Sequence, residues 1–260
     1  MPCNLQHLLL VLLYTFSIIH VKATTASSNS TIINNRKRQS KPNLIIIYTD
    51  EQNLRTLGIY RSILPSPSQS HPWGPNVQVD TPTLDKLAAE GAVYQSMYTT
   101  SPLCTPARTS FLTGLYPHPQ RTGGSSNHER LKPGIETFAS ILQRVGYKTG
   151  YVGKWHLNGL DKPGWGGDAE EDLNSDSKKQ SRTFGFEDQT HLYNRGHWKW
   201  FEDRANGSTK AFAWNKKKKF VDNQEDAYAT DFLFDKGIKF VKKQIRRNET
   251  FALVLSVPGE

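Results

Sequence analysis

Cysteine is nearly absent from this 260-residue chain, with Cys3 and Cys104 the two examples. Two thiols cannot staple a small disulfide scaffold, so the fold has to rest on a hydrophobic core. Long apolar runs are scarce as well. Leu8 to Ile19 is too short to span a bilayer comfortably, and no second run is long enough either. A membrane span in the mature chain is therefore not expected. No Lys or Arg precedes that run, yet polar residues flank it and Val21-Lys22-Ala23 offers a small-residue cleavage site. Residues 1–23 are accordingly expected to be a signal peptide. Apolar content is 36% and mean hydropathy −0.60, low but still globular. At this length one sizeable domain can bury a proper core.

Positive charge is in surplus, at +9 with a pI near 9.4, and losing Lys22 with the signal peptide removes one unit. Such a balance suits acidic partners such as sulfated polysaccharide. Nucleic acid is not expected as a partner of an exported chain. Three N-glycosylation sequons, at Asn29, Asn206 and Asn248, fit a secreted glycoprotein or one held in an endomembrane or lysosome-like lumen. Residues 24–41 are rich in Ser, Thr and Asn and then basic, and read as a disordered lead-in.

Order begins at Pro42. Asn43 to Tyr48 is a continuous apolar run, the texture of a parallel strand buried on both faces. It runs into Thr49-Asp50-Glu51-Gln52, whose carboxylates would lie beyond the strand's carboxyl end, where open α/β sheets bind ligands. Hard oxygen donors of this kind suit calcium or magnesium. Pro82 to Glu90 reads as a short helix with Thr81 as N-cap, Ala92 to Tyr98 as a strand, and Ile135 to Val145 as a further helix. Lys148 to Val152 is expected to be a strand leading into Gly153-Lys154-Trp155-His156-Leu157. Lys154 and His156, two apart on an extended segment, should point the same way. Residues 159–225 read as an inserted loop region whose Trp165, Trp198, Trp200 and Trp214, with Lys216 to Lys219, suit a sulfated-sugar groove. Glu225 to Arg247 is expected to be a helix with Tyr228, Phe232, Ile238, Val241 and Ile245 inward, and Phe251 to Val257 a final strand that exposes an edge. Strands alternating with helices indicate an α/β domain over 42–260, a mainly parallel sheet with helices on both faces.

Once Cys3 leaves with the signal peptide, Cys104 is a lone thiol in an exported chain. Pro106 and Gly114 bracket a short helix, placing residue 104 near its positive end with Arg108 one turn along. Cys104-Thr105-Pro106-Ala107-Arg108 followed by Thr109-Ser110-Phe111-Leu112-Thr113-Gly114 resembles the sulfatase signature C-x-P-x-R-x-S-x-L-T-G. The text around Thr81 to Gly91 and the Gly153-Lys154-Trp155-His156-Leu157 string are also similar to sulfatases, with Asn158 where the family usually has Gly.

The resemblance implies an alkaline-phosphatase-like fold and a sulfuric ester hydrolase. Modifying machinery would oxidise Cys104 to formylglycine, one hydroxyl of the hydrated aldehyde attacks sulfur, and the other later loses its proton so that sulfate leaves. Calcium would be held by Asp50, Glu51 and residue 104; Glu51 departs from the usual Asp, which leaves Gln52 or water as alternatives. Arg108, Lys154 and His156 would clamp the sulfate, with Lys154 or His156 at the leaving oxygen. Arg108 and Lys154 are expected to face a cleft, so that replacing them changes stability little. The resemblance covers the N-terminal part of a sulfatase: the second metal pair and the later His and Lys are not found, as in a truncated chain. Two other readings stand beside it, a phosphatase or phosphonate hydrolase of the same fold and a non-catalytic binder of sulfated polysaccharide.

Overall fold

The computed structural model describes residues 8–13, 18–21, 41–64, 74, 77–158, 184–194, 200–203, 209–212 and 227–258. The basic run Lys216 to Lys219, the sequons at Asn29 and Asn206, and Trp165, Trp198 and Trp214 lie outside them.

Among the described residues seven strands share one sheet. Its centre is parallel: β3 (Asn43–Thr49) pairs with β10 (Phe251–Val257), β10 with β5 (Lys148–Lys154), and β5 with β6 (Asp188–Tyr193). On the other side of β3 lies β1 (Leu8–Leu13), followed by β2 (Ile18–Val21) and β4 (Gly91–Val93), the last two pairings antiparallel. The apolar run read as a signal peptide thus supplies backbone pairing to β3. Cleavage after Ala23 would remove both of those strands. A smaller sheet joins β7 (Trp200–Asp203) to β8 (Thr209–Phe212) and β9 (Ala227–Tyr228).

Alternation along the central strands sends side chains to two different cores. Ile46, Tyr48, Tyr151 and Val254 face one side and pack against Leu112 of α3 (Cys104–Thr113) and Ala139 of α4 (Phe138–Arg144). Val152, Leu253 and Leu255 face the other and meet Phe232, Leu233 and Phe240 of α5 (Ala229–Arg246). Ile47, on that second side, also touches the cluster formed by α1 (Gly58–Ile63) and α2 (Pro82–Glu90). Each of the three buried α5 side chains contributes roughly 1.5–3 kcal/mol by leaving water. Helices therefore cover both faces, as the strand–helix alternation requires.

Several expectations are corrected here. β10 exposes no edge: it is paired on both sides and every residue in it is buried. The strand expected from Ala92 to Tyr98 ends at Val93. Within 159–225, Phe184 and Phe186 belong to the core and Asp188–Tyr193 is a sheet strand, so that part of the region is no surface loop. On α5 the residues Ile238 and Ile245 lie outward, while Lys236 and Gln244 occupy the buried stripe. Lys236 is held there by Asp203 and by the Phe232 ring. Of the three sequons, Asn248 falls on described residues and is exposed.

Candidate active site

The parallel register brings the carboxyl ends of β3, β10 and β5 abreast, with Tyr48 opposite Ser256 and Ser256 opposite Gly153. Asp50 follows β3, Lys154 ends β5, and the start of α3 delivers Cys104 above them. Pro106 fits the helix's first turn because no backbone donor is needed there. Gly114 stops it in the left-handed conformation at φ 69°. The helix starts two residues earlier than Pro106 implies, so Cys104 is itself helical.

Three charges meet below Cys104. Lys154 donates to Asp50 Oδ2 at 2.5 Å and its Nζ lies 3.7 Å from Cys104 Sγ. Arg108 Nη2 faces Asp50 Oδ1 at 3.5 Å. Its Nη1 donates to the Lys154 carbonyl at 2.6 Å, Ser256 Oγ at 2.7 Å and the Tyr151 hydroxyl at 3.2 Å. The guanidinium carbon also stands 5.0 Å from the Tyr48 ring centroid. Arg108 is 1% exposed and Lys154 0%. The expectation that these two cations face a cleft is therefore wrong: they lie buried beneath its floor, absent from its lining, where a charge is tolerable only when paired. Burial alone would lower the Arg108 pKa, but Tyr151 and Asp50 outweigh it and hold the group above its ordinary value. Burial pushes the Tyr48 hydroxyl up to about 12 against the pull of Arg108, and raises Tyr151 too. Both phenols are thus neutral hydrogen-bonding groups at physiological pH.

Above the floor opens a cleft of about 580 Å³ whose walls include Asp50, Glu51, Gln52, Cys104, Asn127 and His156. The period-two argument for Lys154 and His156 fails, because the strand ends at Lys154 and His156 turns into the left-handed region at φ 53°. Lys154 goes down beneath the floor and His156 into the wall. Glu51 shares that conformation at φ 59°. Left-handed backbone is uncommon for such residues and gathers at functional sites. Thr105 Oγ1 donates to the His156 carbonyl at 2.7 Å, tying that turn to the nucleophile helix. Asn158, in place of the usual Gly, accepts from the Trp155 indole at 3.2 Å.

For a divalent cation the fit is partial. Asp50 and exposed Glu51 are carboxylates, and Gln52, also in the lining, donates its Nε2 to Thr56 Oγ1 at 2.5 Å, a bond that does not use Oε1. Among the described residues no group of three or more His, Cys, Asp and Glu side chains is arranged to hold a metal. A thiolate is a soft ligand that calcium does not favour, so residue 104 would join such a set only as an oxygen species.

Sequence reading missed the supports of this site: Tyr48, Tyr151 and Ser256 around Arg108, and Asn127 in the wall. One signal pointed to the last. A helix with Leu103 at its N-cap needs an acceptor from elsewhere, and the polar run Ser125-Ser126-Asn127 supplies it.

The Sulfatase family model matches residues 42–259. Among curated proteins, the chain is 35% identical to the uncharacterised sulfatase YidJ of Escherichia coli over 126 residues, 48% of this chain and 22% of that protein. It is 32% identical to N-acetylgalactosamine-6-O-sulfatase of Bacteroides thetaiotaomicron over 156 residues, 59% of this chain and 27% of the relative. The chain thus spans about a quarter of the length of these relatives. The yidJ sulfatase structure from Bacteroides fragilis covers 86% of this chain and 46% of its own, with TM-score 0.56 and 21% identity. A protein whose structure was solved in complex with its substrate D-glucosamine-2-N,6-O-disulfate covers 84% of this chain and 34% of its own, with TM-score 0.52 and 22% identity. The fold is the alkaline-phosphatase-like one. With the family match running from the first core strand to the last, this chain belongs to the sulfatase family.

Proposed function

We propose that the protein hydrolyses sulfate esters, with residue 104 as the source of the nucleophile. The observation that carries this is the Cys104 thiol at the start of a helix, 3.7 Å above a buried lysine that is itself bonded to Asp50. Formylglycine made from Cys104 would supply a hydrated-aldehyde hydroxyl, and a bound calcium would supply charge to neutralise the sulfate. Asp50, one of Glu51 and Gln52, and the oxygen of modified residue 104 would hold the ion.

Arg108 orients the site from below, its fork fixed by three acceptors so that its charge stays aimed at Asp50 and residue 104. Lys154 lies against residue 104 and holds positive charge where negative charge gathers during transfer. His156 lines the cleft, where it or Lys154 would steady the departing ester oxygen. Sulfated glycans are the proposed substrate class, supported by the amino sugar, N-acetylgalactosamine, in the name of the Bacteroides thetaiotaomicron relative and by the chain's surplus of positive charge. Export and N-glycosylation complete the proposal. Among the described residues no helix is long and apolar enough to cross a membrane.

Mass spectrometry of residue 104 in protein from a host able to make formylglycine tests the reading, together with an aryl-sulfate assay on the full-length protein. An aldehyde at residue 104 with turnover is expected. An unmodified thiol and no turnover would favour a binder of sulfated polysaccharide, and turnover of a phosphate ester alone would favour the phosphatase reading.

A further inference from the structure

Asn127 sits in the cleft wall beside Cys104 and His156. Its Oδ1 accepts the backbone N–H of Thr105 at 3.0 Å, while Leu103 at the N-cap has no side-chain oxygen to offer. Asn127 is thus a remote cap for the helix that carries the nucleophile. The bond also fixes the direction of the carboxamide. A backbone N–H can donate only to the oxygen, so Nδ2 is the end turned away from the helix. That end is a neutral donor in a wall where Asp50 and Glu51 supply acceptors. Thr105 meanwhile donates its hydroxyl to the His156 carbonyl at 2.7 Å, so one residue couples the seat of Cys104 to both Asn127 and His156.

We propose that Asn127 is a substrate-contact residue with two ends: Oδ1 seats Cys104 through Thr105, and Nδ2 donates to an oxygen of a tetrahedral oxyanion in the cleft. Within the proposed function, on which the substrate identity rests, that oxyanion is the sulfate group. The donor end is what a purely structural cap would not need.

The substitution Asn127→Asp separates the two roles. It keeps an oxygen for the Thr105 N–H and replaces the donor with negative charge, whereas Asn127→Ala removes both ends. The full-length protein is made in a host that leaves Cys104 a thiol, and alkylation of that residue by iodoacetamide is followed by peptide mass spectrometry. Inorganic sulfate and inorganic phosphate are titrated separately as protecting anions. In the wild type, anion should slow alkylation. Asn127→Asp should need roughly tenfold more anion or beyond for equal protection, the scale of losing a hydrogen bond to a charged group. Its unfolding midpoint should stay near wild type, and because the added carboxylate itself slows alkylation of the neighbouring thiol, protection is scored as the ratio of each variant's own rates with and without anion. Asn127→Ala should lose protection and also unfold earlier. Equal protection in wild type and Asn127→Asp overturns the proposal, as does the absence of protection by either anion in the wild type. Failure of the oxidised wild type to cleave an aryl sulfate, with anion protection still weakened in Asn127→Asp, would instead leave the contact standing and refute only the reaction assigned to the site.

Discussion

Arg108 carries its charge at 1% exposure because one of its nitrogens serves three acceptors and the other faces Asp50. Arg108→Ala would strand Asp50 beside a single cation and leave a cavity under Tyr48. We expect it to cost roughly 3–5 kcal/mol, the scale of breaking a buried pair, read as a lower urea midpoint. Arg108→Lys should recover only part, since an ammonium cannot reproduce the fork. If the full-length protein hydrolyses sulfate esters as proposed, both Arg108→Ala and Lys154→Met should slow turnover by roughly a hundredfold or more. Unchanged stability in Arg108→Ala would restore the view of a cleft-facing cation. The motifs made Asp50, Cys104, Arg108, Lys154 and His156 legible in the sequence. They did not show which of them lie beneath the floor and which line the wall. That depends on partners such as Ser256, 148 residues from Arg108 along the chain, which no local pattern connects to it.

Between β5 and β10 the backbones approach so closely that position 153 admits no side chain. A Cβ on Gly153 would lie 1.9 Å from the Ser256 carbonyl oxygen, and its φ of +105° is strained for any other residue. Gly153→Ala should therefore cost more than about 2 kcal/mol, pushing Ser256 off Arg108. Gly237→Ala is the contrast. In α5 a Cβ there would meet Leu255 at 3.5 Å, ordinary contact, and should stabilise by about 0.5–1 kcal/mol. Thermal unfolding of the two variants checks both signs. On β6, burial first and Lys236 second lower the His191 pKa from 6.5 to about 4, and its ring packs on Phe232 at 6.4 Å. Unfolded chains take up this proton before folded ones, so stability is full above pH 6.5 and falls toward pH 4. The ring is partly exposed, so we expect a loss of about 2 kcal/mol after screening. His191→Gln should flatten that part of the profile, and an unchanged profile would show that other groups set it. Elements were legible where burial is two-sided, as in the apolar runs of β3 and β10. β6 was not, because an edge strand such as Asp188–Tyr193 is only half covered and tolerates Asp, Gln, Thr and His. The face of α5 was misjudged because Lys236 and Gln244 take core positions that hydrophobic spacing assigns to Ile238 and Ile245.

For the molecule as a whole, the question is how much of the metal site these 260 residues contain. Calcium wants six to eight oxygens, and its affinity follows their number and charge. The described residues offer Asp50, Glu51 or Gln52, and residue 104 once oxidised, with no cluster of three acidic, His or Cys ligands among them. Asp50 is moreover already faced by Lys154 and Arg108, so an arriving cation must compete with two fixed charges at 2.5 and 3.5 Å. Full-length relatives are about four times longer than the stretch they share with this chain. We therefore expect the isolated 260-residue chain to bind calcium no more tightly than about 10⁻⁴ M, the range of sites with few charged ligands. Without that ion's charge it should not turn over an aryl sulfate, even with an aldehyde at residue 104. Its central sheet should nonetheless fold, since β10 is paired on both sides and both cores are closed over it. Calorimetric calcium titration, a sulfate-ester assay and circular dichroism on this chain read the three expectations separately. Micromolar calcium affinity with turnover would show that a complete ligand shell lies within these residues. A chain without cooperative unfolding would show instead that the core depends on further segments.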